Sequence, residues 1–155
     1  MEASVRNEFF MAEALKEARR AYEMNEVPIG CVITRAGEII ARAANERTTK
    51  ANALYHAEIL AINTACEAVG DWRLEDCQLY VTVEPCPMCA GAIVQARIPI
   101  VVYGAKNPKA GCAGSILNIL EEPRFNHQVS VISGVLEEEC AQLMREFFLR
   151  FRGKL

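Results

Sequence analysis

The chain has 155 residues, 52% of them hydrophobic and 24% charged, a composition typical of a globular domain with one hydrophobic core. No apolar run is long enough to span a bilayer, the first 20 residues do not resemble a secretory signal, and the seven cysteines are an odd number. These features argue against a membrane protein and against a disulfide framework, and they predict a cytoplasmic protein. The formal net charge of -3 argues against a protein that binds any nucleic acid through its phosphates, but it is compatible with recognition of one folded RNA.

The first half of the chain predicts a helix, a β-hairpin and a second helix. Apolar residues recur at three- and four-residue steps over residues 4–24, and Ser4 is suited to cap the start of this helix. β-Branched residues on both sides of Ala36-Gly37 predict a hairpin within residues 28–45. A polar loop then leads to a helix over residues 56–70, with Gly70 as its C-terminal stop.

The second half of the chain predicts three strands and two helices. Residues 77–83 and 99–105 are nearly continuous apolar runs, typical of strands that are buried on both faces of a sheet. The segment 87–97 between them is long enough for a helix. A strand over residues 128–134 and a closing helix from Leu136 to Arg152 follow.

Alternation of strands and helices predicts the fold class α/β: a three-layer α/β/α sandwich around a central five-stranded mixed sheet. No linker or internal repeat interrupts the pattern, so residues 1–155 are predicted to form a single domain. The cysteines outside residues 81–93 lie mostly in apolar runs and are expected in the core. Cys112 is the exception, because it falls in a loop and is expected to be partly exposed.

The segment 81–93 contains Cys86 and Cys89 with a proline on either side of the first cysteine. Pro87 is suited to the first position of a helix, since its missing N–H costs nothing there. Cys86 is then the N-cap residue and Cys89 lies in the first turn, where free amides and the helix dipole favour the thiolate that binds metal. A redox pair or two buried thiols would explain a single Cys-x-x-Cys motif equally well.

A metal site at these cysteines needs a histidine, and the chain has two. His127 lies in the turn before the last predicted strand and is interpreted as structural. His56 begins the second predicted helix, and Glu58 follows it by two residues. Three protein ligands with one open position are typical of catalytic zinc, whose fourth ligand is water. Glu58 would then be free to act as a base towards that water.

These motifs resemble the zinc-dependent nucleoside deaminases of the cytidine deaminase superfamily, whose signature is His-Ala-Glu followed by Pro-Cys-x-x-Cys. The segments 26–32, 43–45, 111–115 and 125–127 make the chain similar to the bacterial tRNA-specific adenosine deaminases, from about residue 9 to residue 150. The resemblance implies a cytidine deaminase-like fold, one Zn²⁺ per chain and a homodimer. It also implies hydrolytic deamination of adenosine to inosine at the wobble position of a tRNA anticodon arm.

The resemblance further implies roles for individual residues. His56, Cys86 and Cys89 correspond to the zinc ligands, and Glu58 corresponds to the group that transfers protons. The residues that correspond to substrate contacts are Val27, Pro28, Asn45 and Ala57. From the residues alone, a turn asparagine at Asn45 and ordinary core packing at Val27 and Ala57 remain open.

Asn107 departs from the family pattern, which usually has an aspartate in the loop over the backbone of the target nucleotide. An aspartate there can accept a hydrogen bond from a ribose 2′-OH, and asparagine removes its charge. We therefore expect weaker discrimination against single-stranded DNA. Further nucleic-acid contacts are expected where basic and aromatic residues occur together near the same loop and at the C-terminus: Lys106, Lys109, Arg145, Phe148, Arg150 and Arg152. An amphipathic helix with a basic end explains the C-terminal pattern equally well.

Two other functions are compatible with the zinc motif. A deaminase of a free base or nucleoside, such as guanine or cytosine, would share His56, Glu58, Cys86 and Cys89. A zinc-stabilised binding module without catalysis is the second alternative, although Glu58 beside His56 and the lack of a fourth ligand argue against it.

Overall fold

The computed structural model describes residues 2–151, and in that range the chain forms four helices and five strands. In chain order these are α1 Ala3–Glu23, β1 Gly30–Arg35, β2 Glu38–Ala44, α2 Ala57–Val69, β3 Cys77–Val83, α3 Pro87–Gln95, β4 Ile100–Ala105, β5 Ser130–Ile132 and α4 Glu137–Arg150. No helix within residues 2–151 combines the length and the apolar character needed to cross a membrane.

The strands form one mixed sheet in the order β2-β1-β3-β4-β5. β1 is antiparallel to both of its neighbours, β2 and β3, whereas β4 is parallel to both β3 and β5. Because parallel neighbours require a crossover connection, α3 lies between β3 and β4 in the chain.

Helices cover both faces of this sheet. α1 and α4 pack on one face against Val32, Tyr80 and Val102, while α2 and α3 pack on the other against Ile33 and Leu79. Neighbouring strand residues contribute to opposite layers because strand side chains alternate in direction. The central strands read as continuous apolar runs for this reason. The predicted three-layer α/β/α sandwich with a five-stranded mixed sheet is confirmed.

Most of the sequence signals for turns and helix ends are confirmed by the structure. Ala36 and Gly37 have φ of 52° and 78°, as a two-residue hairpin turn between β1 and β2 requires. Gly70 ends α2 in the left-handed region, with φ of 76°. The prediction that Ser4 caps α1 is wrong, because the helix begins before it and Glu2 is the N-cap.

Three of the predicted elements are shorter in the structure. α3 ends at Gln95, and Arg97 already has a positive φ of 62°. β5 has only three residues, Ser130–Ile132, at the edge of the sheet. α4 ends at Arg150, and the predicted last residue of this helix, Arg152, lies outside the residues that the structure describes.

One end of the sheet gathers the segments that matter for function. β2, β3 and β4 end there, β1 begins there, and α2 and α3 both start there. Gly30 brings α1 close to this end, because a Cβ on it would lie 2.0 Å from the carbonyl oxygen of Ala14. The segment just before β1 is therefore held against α1.

Candidate functional site

Three side chains with metal-binding atoms meet at this end of the sheet. His56 is the N-cap residue of α2, Cys86 is the N-cap residue of α3, and Cys89 lies in the first turn of α3. The Nδ1 atom of His56 lies 3.6 Å from the Sγ of Cys86 and 3.5 Å from the Sγ of Cys89. All three candidate ligand atoms lie within 4.8 Å of one another.

These distances fit a tetrahedral metal ion. Nitrogen at about 2.0 Å and sulfur at about 2.3 Å from a tetrahedral zinc ion would be separated by about 3.5 Å. One imidazole and two thiols are also a donor set that suits this ion. The cluster of His56, Cys86 and Cys89 can therefore hold a metal ion.

One thiol of the cluster is held towards the form that binds metal. Hydrogen bonds from the Cys89 thiol and from His56 hold the pKa of Cys86 well below its usual range, at about 4, although burial opposes this. The pKa of Cys89 is raised by its hydrogen bond to Cys86 and by burial. The hydrogen bond to Cys86 also raises the pKa of His56. The lowered pKa of Cys86 favours its thiolate, the form in which cysteine binds metal.

Glu58 lies beside this cluster in the first turn of α2 and is only 4% exposed. Burial raises its pKa to about 7, and the nearby Cys86 thiolate acts in the same direction. A carboxyl group that exchanges its proton near neutral pH is suited to general acid–base catalysis.

Asn45 and Val27, both predicted to contact substrate, are joined by a hydrogen bond. The Nδ2 of Asn45 donates to the carbonyl oxygen of Val27 at 3.3 Å, and its Oδ1 accepts from the backbone N–H of Arg47 at 3.1 Å. The asparagine therefore also has the turn role that the residues alone suggested. Ala57 and Pro28 are buried, while Val27 is half-buried.

Asn107 follows β4 at the same end of the sheet and is half-buried. Its backbone N–H donates to Glu84 at 3.0 Å, and its Oδ1 accepts from the N–H of Ala110 at 3.2 Å. Its neighbours Lys106 and Lys109 are exposed. The side-chain oxygen of Asn107 is thus engaged in the turn.

The basic residues predicted to contact nucleic acid near the C-terminus are partly engaged in contacts within the protein. Arg145 donates to Glu138 at 2.6 Å and to Gln142 at 2.7 Å, and Arg150 lies 5.3 Å from the ring centre of Tyr22. Phe148 is 47% exposed. These contacts neutralise or occupy part of the charge that was predicted to meet phosphate.

Two predictions about residues around the site have definite outcomes. His127 is structural, as predicted: its Nε2 donates to the carbonyl oxygen of Ile98 at 2.8 Å. The expectation that Cys112 is partly exposed is wrong, because the residue is 1% exposed. Its backbone N–H donates to the carbonyl oxygen of Pro85, which draws the loop over it.

Sequence reasoning missed two buried acidic residues, Glu26 and Glu84, each only 1% exposed. Glu26 precedes Val27 and accepts hydrogen bonds from the backbone N–H groups of Thr48 and Thr49. The available signal was their position, since Glu26 directly precedes the predicted substrate residue Val27 and Glu84 lies two residues before the predicted metal ligand Cys86. An acidic side chain there must find hydrogen-bond donors if it is buried.

Comparison with known proteins places this geometry in a family context. Residues 6–152 match the family described as MafB19-like deaminase. The chain is 56% identical over 148 residues to the tRNA-specific adenosine deaminase of Bacillus subtilis (strain 168), an alignment that covers 96% of this chain and 92% of that protein. The resemblance predicted from the sequence motifs is confirmed.

Solved structures agree with that assignment. A structure from a study of A-to-I editing by tRNA:A34 deaminases at the wobble position of transfer RNA superimposes with a TM-score of 0.84 at 46% identity. The match covers 87% of this chain and 98% of that one. A guanine deaminase from Nitrosomonas europaea matches with a TM-score of 0.75 over 94% of this chain and 84% of its own, at 22% identity. At that identity the likeness shows the fold alone, which is the predicted cytidine deaminase-like fold.

Glu26 generates a prediction about stability and pH. Burial alone would raise its pKa, but the hydrogen bonds from Thr49 and Thr48 outweigh burial and hold the pKa below the ordinary value of 4.5. The ionised form therefore stabilises the fold above about pH 4.5, and this contribution is lost as the pH falls through the lower pKa of the folded state. Glu26→Gln should reduce the free energy of unfolding at pH 7 by about 1–3 kcal/mol.

Chemical denaturation at a series of pH values measures the difference in the free energy of unfolding between wild type and Glu26→Gln. We expect this difference to shrink as the pH falls below 4.5. Glu23→Gln, a change at an exposed glutamate at the end of α1, is the matched control and should have little effect. A Glu26→Gln difference that stays constant down to pH 3 would contradict the role of the ionised carboxylate.

Proposed function

The chain belongs to the MafB19-like deaminase family, and on that premise we propose that it hydrolyses adenosine to inosine in tRNA, with the wobble adenosine of an anticodon arm as its target. The observation that carries the proposal is the buried carboxyl group of Glu58 next to the donor set of His56, Cys86 and Cys89. The likeness to tRNA-specific adenosine deaminases over most of the chain supports the same substrate.

We propose Zn²⁺, one per chain, as the ion that His56, Cys86 and Cys89 hold. The N···S separations of 3.5 and 3.6 Å support zinc, as does the mixed imidazole and thiolate chemistry. When bound, zinc would supply Lewis-acid activation of a water molecule.

Glu58 performs the proton transfers in this proposal. Deamination forms a bond from C6 of adenine to a water oxygen and breaks the bond from C6 to the amino nitrogen. The Glu58 carboxylate accepts a proton from the attacking water and passes it to the ring nitrogen N1. It then takes the remaining proton from the new C6 hydroxyl and delivers it to the departing amino nitrogen, so that the C6–N bond breaks, ammonia leaves and inosine remains. Its burial keeps competing water away from the carboxyl group.

The segments around the cluster would hold the nucleotide. The half-buried Val27 can offer apolar surface to the base, whereas Pro28 and Ala57 are buried and are assigned to the same contact from the family resemblance. Asn45 is assigned to the nucleoside on the same ground. A base in an anticodon loop can be unstacked without opening a duplex, which suits a site at the end of a sheet. The exposed Lys106 and Lys109 and the C-terminal residues Arg145, Phe148 and Arg150 would contact the anticodon arm, with Arg152 assigned the same role from sequence alone.

We also propose that two copies form a homodimer, as the family resemblance implied. Large apolar side chains that are exposed near the site support an interface there, among them Ile116 at 53% and Leu117 at 58%. A single domain over residues 1–155 and a cytoplasmic location remain predictions.

We also propose that Asn107 gives the protein a weaker preference for RNA over single-stranded DNA. Because Oδ1 of Asn107 is engaged with Ala110, the side-chain group that would face a ribose is the Nδ2 donor. An aspartate in the same turn would present a second carboxylate oxygen there and could accept from a 2′-OH. It would also repel neighbouring phosphates, whereas the amide does not.

An assay of inosine formation on an RNA anticodon stem-loop tests both the proposed function and the catalytic role of Glu58. Wild-type protein should form inosine in an RNA anticodon stem-loop and should release little ammonia from free guanine or cytosine. Glu58→Gln should lower kcat at least about 100-fold, while zinc content and thermal stability remain close to wild type. Glu67→Gln, on the exposed face of the same helix, is the matched control and should retain activity.

Other results of this assay point to the two alternative functions. Faster turnover of a free base than of the stem-loop would favour the free-base deaminase. A complete lack of turnover with zinc bound would favour the non-catalytic module. Near wild-type turnover in Glu58→Gln would remove this residue from the mechanism.

The metal assignment predicts a stoichiometry. Purified protein should contain about one zinc ion per chain, and Cys86→Ala or Cys89→Ala should lose it, because a two-ligand site binds zinc weakly. Elemental analysis measures the occupancy. Cys66→Ala, a change at a half-buried cysteine of α2 outside the cluster, should leave it unchanged. Full occupancy in either of the first two variants would show that the ligands were assigned incorrectly.

Asn107→Asp tests the expected nucleic-acid preference. The ratio of deamination rates on matched RNA and DNA stem-loops should rise severalfold in Asn107→Asp relative to wild type, because the new carboxylate favours a ribose 2′-OH. Asn63→Asp adds the same charge on the exposed face of α2 and should leave the ratio unchanged. The same ratio in wild type and in Asn107→Asp would mean that this side chain does not determine selectivity.

A further inference from the structure

Glu84 is a buried carboxylate that the proposed chemistry does not use. It follows β3 directly, and its backbone N–H continues the pairing of β3 with β4 by donating to the carbonyl oxygen of Ala105 at 2.8 Å. The residue is 1% exposed, so its charge depends on hydrogen bonds from the protein. It also lies two residues before the metal-site residue Cys86.

Within residues 2–151, the hydrogen bonds to the Glu84 carboxylate all come from residues 106–117, here called the 106–117 loop. Oε1 accepts from the backbone N–H of Asn107 at 3.0 Å and from the hydroxyl of Ser115. Oε2 accepts from the backbone N–H groups of Ala113 at 2.9 Å and of Ser115 at 3.0 Å. Three backbone amides and one hydroxyl thus converge on one side chain, which determines the path of the loop.

The loop is also shaped to fit closely around this side chain. A Cβ on Gly111 would lie 2.4 Å from the Glu84 Cδ and 2.5 Å from the carbonyl oxygen of Asn107. Glycine is therefore needed for the loop to close over the carboxylate. Next to it, the N–H of Cys112 donates to the carbonyl oxygen of Pro85 at 2.8 Å. The short segment from Glu84 to Cys86 consequently holds both the loop and one candidate metal ligand.

From this arrangement we infer that Glu84 is a positioning residue for the deamination reaction. Its carboxylate fixes the 106–117 loop relative to the metal ligands, and thereby sets the distance from Asn107, which meets the target nucleotide, to the reacting centre. The inference rests on the proposed function, in which the loop contacts the nucleotide. Glu84 itself touches neither substrate nor metal in this role.

A carboxylate is required because both of its oxygens face donors. In Glu84→Gln an NH₂ group must replace one oxygen. At the Oε2 position it would face two backbone N–H groups, from Ala113 and Ser115. At the Oε1 position it would face one N–H, from Asn107, and the Ser115 hydroxyl, which can rotate to accept. The amide should therefore turn its NH₂ towards Asn107 and break that contact first.

A positioning role and a merely structural role of Glu84 change different measured quantities. If the Glu84 carboxylate were only structural, replacing it would lower the melting temperature, but the protein that remains folded would keep its kinetic constants. A positioning carboxylate changes how the loop holds the nucleotide, so KM for the stem-loop rises while kcat changes less. Zinc content distinguishes an effect on the loop from an effect on the metal site.

The experiment compares Glu84→Gln with wild type in zinc content, melting temperature, and kcat and KM on the RNA stem-loop. We expect KM to rise at least about tenfold, which corresponds to the loss of one hydrogen bond to a charged group, with one zinc ion per chain retained. Ser115→Ala removes the hydroxyl and keeps the three backbone donors, so its KM should rise less than that of Glu84→Gln.

Gly111→Ala provides an independent variant if Glu84→Gln does not fold. It pushes the loop away from the carboxylate without changing any charge, and it should also raise KM with zinc retained. Unchanged KM in the folded variants, or a loss of zinc in Glu84→Gln, would overturn the inference. If wild-type protein forms no inosine on the stem-loop, the proposed function and this inference both fail. If wild type is active and KM does not change, only the inference fails.

Discussion

The parallel pairing of β3 with β4 is the constraint on which the rest of the site depends. A parallel pair needs a crossover, and here the crossover is α3, which starts at the end of β3. Cys86 therefore lies at a helix N-terminus and beside the start of α2, where His56 lies. A metal-binding donor set forms because the sheet brings two helix N-termini to one end, although the residues are some thirty positions apart in the chain.

Three buried glutamates at this end show how the surroundings determine the role of one residue type. Burial opposes ionisation of Glu26 and Glu84, but hydrogen bonds from hydroxyl and backbone N–H groups outweigh burial and hold the pKa of each below its ordinary value. Glu58 has fewer such donors, and burial raises its pKa to about 7. The first two carboxylates are suited to anchor loops, and Glu58 is suited to exchange protons.

The loops around the site are therefore fixed rather than loose. Glu26 binds the backbone of the segment after β2, and Glu84 binds the backbone of the 106–117 loop. Both loops carry residues assigned to substrate contact, Asn45 at the start of one and Asn107 at the start of the other. A target base that must be unstacked from its neighbours gains from such preorganised loops, because less ordering remains to occur on binding. The family assignment and the tRNA substrate are consistent with a site built in this way.

The sequence by itself determined the fold class, the element order and the candidate metal ligands. Those features depend on local rules: apolar periodicity, Pro87 at the first position of a helix, and Gly70 at the end of another. Only the tertiary structure decided the length of β5 and the burial of Cys112. It also supplied the hydrogen-bond partners of Glu84, which lie 23 to 31 positions further along the chain. No local pattern encodes such pairs, because they form only after the sheet has brought the ends of β3 and β4 together.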